Sequence, residues 1–231
     1  MDKYLIFSCF STTEASADTR AFVVEGVIMT IELIIFDLGN VIFLYDHHII
    51  SRKISALEDL PAEAIHQALF GADLCQLFDR GEISPEDFFL RFKAKAGLKK
   101  MNFEDFVPIW ADIFAENKPI SNLITRLQNK YKVCVLSNTN KLHFDYLKDK
   151  FPIMQKIPRF ILSFEVGKSK PHPDIYKVAL NGTGVDPQKA VFLDDLVEFV
   201  EGARKLNIHG IQFKDARQAI QDLTALGIDC K

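Results

Sequence analysis

Ile34-Ile35-Phe36-Asp37-Leu38-Gly39-Asn40-Val41 decides how the rest of the chain is read. An unbroken apolar run with no polar alternation suits a parallel strand covered on both faces. The aspartate that ends it is followed at once by Gly and Asn, so the chain turns sharply and leaves a carboxylate at the sheet's carboxyl edge. Taken alone, such an aspartate is equally a turn residue or a helix cap. Four further apolar runs share the same character: Lys132–Leu136, Phe160–Ser163, Ala190–Leu193 and Ile208–Phe213, with the first run taken as Ile31–Phe36. Helical segments lie between the later ones. Asp186-Pro187 reads as an N-cap with proline at the first helical position, and Asn181-Gly182 as a stop. Strand alternating with helix predicts an α/β fold, a doubly wound, mainly parallel Rossmann-like sheet.

The distance from Phe36 to Lys132 far exceeds the roughly 30 residues of a βαβ unit. No stretch within it reads as a strand. Helix-period segments fill it instead: Pro61–Phe70 stopped by Gly71, Pro85–Ala96 stopped by Gly97, and Phe103–Phe114. Ser84-Pro85-Glu86-Asp87 is a strong start signal, with a hydroxyl cap, proline first and acid in the first turn. Phe88, Phe89 and Phe92 share one side of that helix and read as core. An all-helical insertion leaving the carboxyl end of the first strand would lie over the place where such sheets bind ligands. The expected organisation is an N-terminal extension over 1–28, a core of 29–45 plus 119–231, and a helical cap over 46–118.

Three further elements bear on Asp37. Val133-Cys134-Val135-Leu136-Ser137-Asn138 is a strand ending in a hydroxyl. Gly167-Lys168-Ser169-Lys170-Pro171-His172-Pro173 is a basic loop opening a helix. Val191-Phe192-Leu193-Asp194-Asp195 is a strand ending in paired carboxylates. Each has a plain structural reading: a turn hydroxyl, a solvated lysine, helix-capping acids, a loop histidine at His172. As an ordered set they resemble the haloacid dehalogenase superfamily, over nearly everything from Met29 to Lys231. The subgroup most similar is that of small capped sugar-phosphate phosphatases carrying FDLGNV and VLSNTN, with glucose-1-phosphate phosphatase the nearest activity.

That resemblance implies a set of roles. Asp37 is the nucleophile, passing through an aspartyl-phosphate. Asp37, Asp194, Asp195 and the backbone carbonyl of Gly39 hold Mg2+, a hard cation that wants oxygens. Ser137 and the Asn138 amide donate to the non-transferring phosphate oxygens. Lys170, which precedes a proline as the family writes it, neutralises the phosphate and keeps Asp37 ionised; Lys168, two residues away, competes for the part. The pattern also breaks. Gly39 stands where the family's phosphatases carry a second aspartate that protonates the leaving group, a contribution of roughly 10²–10⁴-fold. Asp46, His47 and His48 are candidate substitutes. A sugar 1-phosphate, with its more acidic anomeric leaving group, asks least of a missing acid. Leu196 and Phe199 replace the small or amide residue and the asparagine usual after the paired acids, positions that orient metal ligands.

Composition narrows the partners. The 231 residues carry 28 Lys+Arg against 31 Asp+Glu, a net charge of −3, with no basic excess for nucleic acid or an anionic membrane. Hydrophobic residues at 48% and charged ones at 26% are ordinary globular proportions. No run of about 18 apolar residues spans a membrane. Lys3, the apolar Tyr4–Phe10 and Ala15-Ser16-Ala17 faintly resemble a signal peptide, but the apolar part is short and interrupted by Ser8. Cys9, Cys75, Cys134 and Cys230 lie far apart without a CxxC pair, which fits a reduced, cytoplasmic protein. A small phosphorylated metabolite is the expected partner, and the sequence is silent on oligomeric state. Two other functions stay open: a metal-free 2-haloacid dehalogenase, and a non-catalytic binding protein that kept the fold. Substrate contacts cannot be picked from sequence; Phe43, Tyr45 and Trp110 are candidates only.

Overall fold

The computed structural model describes residues 22–24, 27–71 and 73–231; the expected signal-like stretch lies outside them. Strands β1 (Phe22–Val24) and β2 (Val27–Met29) form an antiparallel pair within or beside the expected extension. β3 (Leu33–Phe36) and the short β4 (Phe43–Tyr45) follow. Five helices come next: α1 (His48–Glu58), α2 (Ala62–Phe70), α3 (Leu74–Asp79), α4 (Pro85–Ala96) and α5 (Phe103–Ala111). The chain returns through β5 (Phe114–Glu116), α6 (Lys118–Leu127), β6 (Lys132–Ser137), α7 (Lys141–Lys150), α8 (Ile153–Lys156) and β7 (Phe160–Leu162). It ends with α9 (Ser163–Val166), α10 (Pro173–Leu180), β8 (Ala190–Asp194), α11 (Val197–Arg204), β9 (His209–Gln212) and α12 (Ala216–Ala225).

The main sheet has the order β7-β6-β3-β8-β9 and every pairing in it is parallel. Alternate residues of each strand enter different layers, which is why the runs show no polar alternation. Ile34, Phe36, Val133, Val135, Val191 and Leu193 pack under α6, α7 and α12. Leu33, Ile35, Cys134, Leu136 and Phe192 pack against α10 and α11 on the other face. The chain winds outward from β3 through β6 to β7, then comes back to β8 and β9. The winding therefore reverses between β3 and β8, and a crevice opens at their carboxyl ends. Phe36 is in register with both Val135 and Leu193, so the residues that follow each strand emerge side by side.

Helices α1 to α5 enclose an apolar cluster of their own. Phe78, Phe88, Phe92, Phe106 and Trp110 are all buried there, and the Phe88, Phe89 and Phe92 stripe is core as expected. The α4 start is also as read: Ser84 Oγ accepts from Asp87 N at 3.0 Å, a cap worth about 1 kcal/mol, and Gly97 ends the helix at φ +71°.

Two features of this region differ from the sequence reading. The helix expected to reach Phe114 stops at Ala111, and the gap expected to hold no strand holds β4 and β5. They pair antiparallel with Phe43 opposite Glu116 and Tyr45 opposite Phe114. Asn117 extends the tie, its N–H donating to Ile42 O at 2.9 Å and its Nδ2 to Val41 O at 2.9 Å. Pairing with a distant segment has overridden the helical period. Elsewhere, Ser163 opens α9 instead of closing β7, and Asp186-Pro187 opens only a single 3₁₀ turn, Pro187–Lys189. The remaining strand limits differ by a residue or two, as hydrogen-bonding ends do.

Just past α3, the chain at Gly81 lies against Phe164 of α9. The Gly81 φ is +67°, and a Cβ there would lie 2.3 Å from Phe164 O. Gly81→Ala should therefore cost about 2–4 kcal/mol, combining left-handed strain with a backbone clash. Gly97→Ala, at φ +71° with open space around it, should cost only about 1–2 kcal/mol. Urea unfolding of the two variants checks the difference.

Candidate active site

Asp37 leaves β3 with its N–H donating to Leu193 O of β8 at 2.8 Å, which sets the carboxylate beside Asp194. Between them stands Lys170. Its Nζ donates to Asp37 Oδ1 at 2.7 Å and to Asp194 Oδ2 at 2.6 Å, and its side chain is 1% exposed. A buried ammonium needs partners of this kind, since desolvation alone would neutralise it. Burial works against the Lys170 charge, but the two carboxylates outweigh it and hold its pKa above the ordinary value. Burial pushes the Asp37 carboxyl up, Lys170 pulls it back, and Asp194 pushes it up again. Two carboxylates against one ammonium leave the trio short of positive charge. Lys168, the competing lysine, is exposed.

The loop that delivers Lys170 is clamped by Asn138. Its Oδ1 accepts from Lys170 N at 2.7 Å and its Nδ2 donates to Lys170 O at 3.0 Å. That employs the whole Asn138 side chain and leaves its backbone as the part that can face a ligand. Ser137, the last residue of β6, is buried, and its Oγ meets no protein partner among the described residues. Asp195 Oδ2 accepts from Asn40 Nδ2 at 3.0 Å, while Asp194 Oδ1 accepts from Leu196 N at 2.9 Å. Among the described residues, Asp37, Asp194 and Asp195 each bring a carboxylate oxygen within 4.8 Å of the others. An all-oxygen, anionic set with too little positive charge suits a hard divalent cation such as Mg2+ and offers nothing to a soft one.

These groups floor a cavity of about 280 Å3 whose upper walls come from β4, β5, the helical unit and α7. Asp37, Gly39, Ser137, Asn138, Lys170 and Asp195 all line it; fully buried Asp194 lies behind, beneath Lys170. A profile of the family described as haloacid dehalogenase-like hydrolase matches residues 31–207, most of the chain.

The chain belongs to that haloacid dehalogenase-like hydrolase family.

It is similar to D-ribitol-5-phosphate phosphatase of Bacteroides thetaiotaomicron, 23% identical over 203 residues, covering 85% of this chain and 98% of the relative. Among solved structures it resembles a family enzyme of Bacteroides thetaiotaomicron in complex with magnesium and inorganic phosphate. That likeness has a TM-score of 0.72 at 23% identity, over 80% of this chain and 95% of the other. L-2-haloacid dehalogenase of Xanthobacter autotrophicus shares the fold at a TM-score of 0.57 and 16% identity, over 87% and 85%. The expected family and doubly wound fold both hold.

Where this member departs from the haloacid dehalogenase pattern, the structure supplies a cause. A Cβ at Gly39 would lie 2.8 Å from Tyr45 Cε1, so the Tyr45 ring occupies the space that a second aspartate would need. Of the three candidate proton donors, His47 lines the cavity, stacked on Phe70 at 4.4 Å and beside Tyr45 at 4.8 Å. Burial brings its pKa down to about 4. Asp46 faces solvent and pairs with Arg52 at 3.0 Å; His48 stacks on His66 at 4.3 Å; neither lines the cavity. Tyr45 and Trp110 do line it, whereas Phe43 is fully buried in the sheet core. Leu196 and Phe199 form part of the wall. His172 is the α10 N-cap, accepting from Asp174 N at 3.3 Å, and belongs to a loop as expected.

Sequence reading missed Asp79, Asn140 and His143, which also line the cavity. Only Asn140 had a signal, its place at the end of VLSNTN. Asn140 Oδ1 accepts from Trp110 Nε1 at 3.2 Å and from His143 N at 3.1 Å. His143 Nε2 lies 3.0 Å from Trp110 O, so the proton sits on Nε2 and Nδ1 accepts from Asn140 Nδ2 at 3.2 Å. The ring lies flat on Trp110 at 4.8 Å. Burial lowers the His143 pKa to about 3, so the folded chain holds it neutral while the unfolded chain protonates it near 6.5. The resulting stability is whole above pH 6.5 and drains as pH falls toward 3, by up to ~1.4 kcal/mol per unit. Urea unfolding at several pH values should give a shallower acid slope for His143→Phe than for the unaltered protein.

Proposed function

We propose that the chain is a Mg2+-dependent phosphatase of small phosphomonoesters, with a sugar or polyol phosphate as substrate class, and that residues 46–118 act as its cap. The observation that carries this reading is the buried Asp37–Lys170–Asp194 cluster, with Asp195 beside it, on the floor of a cavity of metabolite size. The relative that acts on D-ribitol 5-phosphate supports the substrate class. A cytoplasmic setting is part of the same reading. No helix among the described residues is long and apolar enough to cross a membrane.

In this mechanism an Asp37 oxygen attacks phosphorus, the bond from phosphorus to the ester oxygen breaks, and the departing alkoxide takes up a proton. Water then attacks the aspartyl-phosphate, releasing phosphate and restoring the carboxylate. Lys170 favours the ionised form of Asp37 against the burial that raises its pKa, and offsets charge on the incoming phosphate. Ser137 Oγ and the Asn138 N–H donate to the non-transferring oxygens. Asp37, Asp194, Asp195 and the Gly39 carbonyl would hold Mg2+, which supplies the positive charge that the cluster lacks and the repelled anions require. Asp194 and Asp195 are oriented by hydrogen bonds from Leu196 N–H and Asn40 Nδ2, where the family more often uses an asparagine at the Phe199 position.

With Gly39 unable to protonate the leaving group, esters of more acidic alcohols gain most, and His47, which burial holds neutral, does not fill the gap. A 2-haloacid dehalogenase would have to seat its substrate's carboxylate, and Lys170 is the sole Lys or Arg among the cavity-lining residues. The paired acids favour the metal enzyme as well. A metabolite-phosphate panel tests the reading: EDTA should abolish turnover and Asp37→Asn should lower it by about 10³-fold or more. EDTA-resistant release of halide would support the dehalogenase, and equal background from both proteins a binding role. Within the panel, sugar 1-phosphates should be better substrates than 6-phosphates; the reverse ranking removes the argument from leaving-group acidity.

A further inference from the structure

The floor of the cavity accounts for a phosphate and leaves open what lies beyond the ester oxygen. Tyr45, His47, Phe70, Trp110 and Phe114 make the far walls flat and mostly apolar. Among the described residues, the helical unit adds a single charged side chain to the lining, Asp79 at the end of α3.

Asp79 is held on two sides. Ser163 Oγ donates to its backbone carbonyl and also accepts from Thr139 N at 2.9 Å, joining α3 to the segment that follows β6. Asn140 Nδ2 donates to Asp79 Oδ1 at 3.0 Å. Asn140 cannot swing away, because its oxygen is engaged by Trp110 and His143 N and its amide group also faces His143 Nδ1. One Asp79 oxygen is thus fixed, and no protein donor meets Oδ2 among the described residues. Burial pushes the carboxyl up to about 6, and the Asn140 hydrogen bond favours the ionised form. Lys170, the one Lys or Arg in the lining, is engaged with Asp37 and Asp194.

We propose that Asp79 determines specificity: its open carboxylate oxygen accepts a hydrogen bond from a hydroxyl of the leaving group and repels monoesters that carry a second anion. The preferred substrates are then monophosphates of uncharged polyols or sugars whose C–H faces lie on the aromatic walls. Bisphosphates and phosphorylated sugar acids are turned away. This rests on the phosphomonoester reading and deepens it.

Pairs sharing a carbon skeleton test the idea: glycerol 3-phosphate against 3-phosphoglycerate, and ribitol 5-phosphate against 5-phosphoribonate. With Mg2+ present, kcat/KM of the intact enzyme should favour the neutral member by about 10–100-fold, the range of a charged hydrogen bond kept or lost. Asp79→Asn should shrink that ratio at least tenfold, chiefly by lowering KM for the carboxylated member. Asp79→Ser serves as a second variant, with both folds checked by near-ultraviolet circular dichroism. Equal use of both members by the intact enzyme overturns the inference whether or not the variants fold, and so does an unchanged ratio in a folded variant. Turnover of no phosphate ester, p-nitrophenyl phosphate included, overturns the phosphatase reading and this inference together.

Discussion

A lysine ammonium with almost no contact with solvent lies between two carboxylates at the edge of a parallel sheet, and much of the surrounding structure follows from the need to keep it there. Stripped of one partner, a buried pair of this kind loses about 3–5 kcal/mol. The register that sets Phe36 beside Leu193 brings Asp37 and Asp194 together, and the Asn138 clamp brings the lysine to them. Neither side chain chemistry nor strand order would suffice alone. The carboxylates need the cation to be tolerated at that depth, and the cation needs the parallel sheet to present both acids from one edge. The same balance, still short of positive charge, is what makes the place receptive to a divalent ion and a phosphate.

The cavity above divides by origin. Its floor comes from strand ends and the loops after them, which the sheet holds rigid. Its far walls come largely from the helical unit and from β4 and β5, where the chain leaves and rejoins the sheet. Family and fold are shared at low identity with proteins whose named activities differ. Asn140 and His143 bridge the two parts, receiving Trp110 from above while rooted in α7 below.

Sequence alone revealed the elements that carry their own pattern. Strands buried on both faces are continuous apolar runs, and the Ser84-Pro85 start of α4 needs only local chemistry. The places of Asp37, Ser137 and the Asp194-Asp195 pair were legible because each ends such a run, but their roles, and the choice of Lys170, came only from the resemblance of the ordered set to the family. β4 and β5 were not, because three residues are too few to show alternation and the strand each pairs with is distant in sequence. Asp79 was invisible for a related reason: its meaning depends on Asn140 and Ser163, 61 and 84 residues away. Gly39 could be read as a missing carboxylate, but the aromatic ring filling that space belongs to a residue with no motif to mark it.

The two-stranded ribbon of β4 and β5 has a mechanical consequence. Every covalent path between the sheet and the helical unit runs through it, and hydrogen bonds lock its strands together from Phe43 to Glu116, with Asn117 as a further rivet. Separate tethers would let the upper part slide, twist and tilt. A bonded ribbon resists shear in its own plane and yields chiefly to bending across its width, so this link by itself leaves one soft direction, which the hydrogen bonds joining Asn140, His143 and Ser163 to the helical unit oppose. Tyr45 rides on that ribbon and lines the cavity, so bending there would shift an aromatic wall relative to the floor.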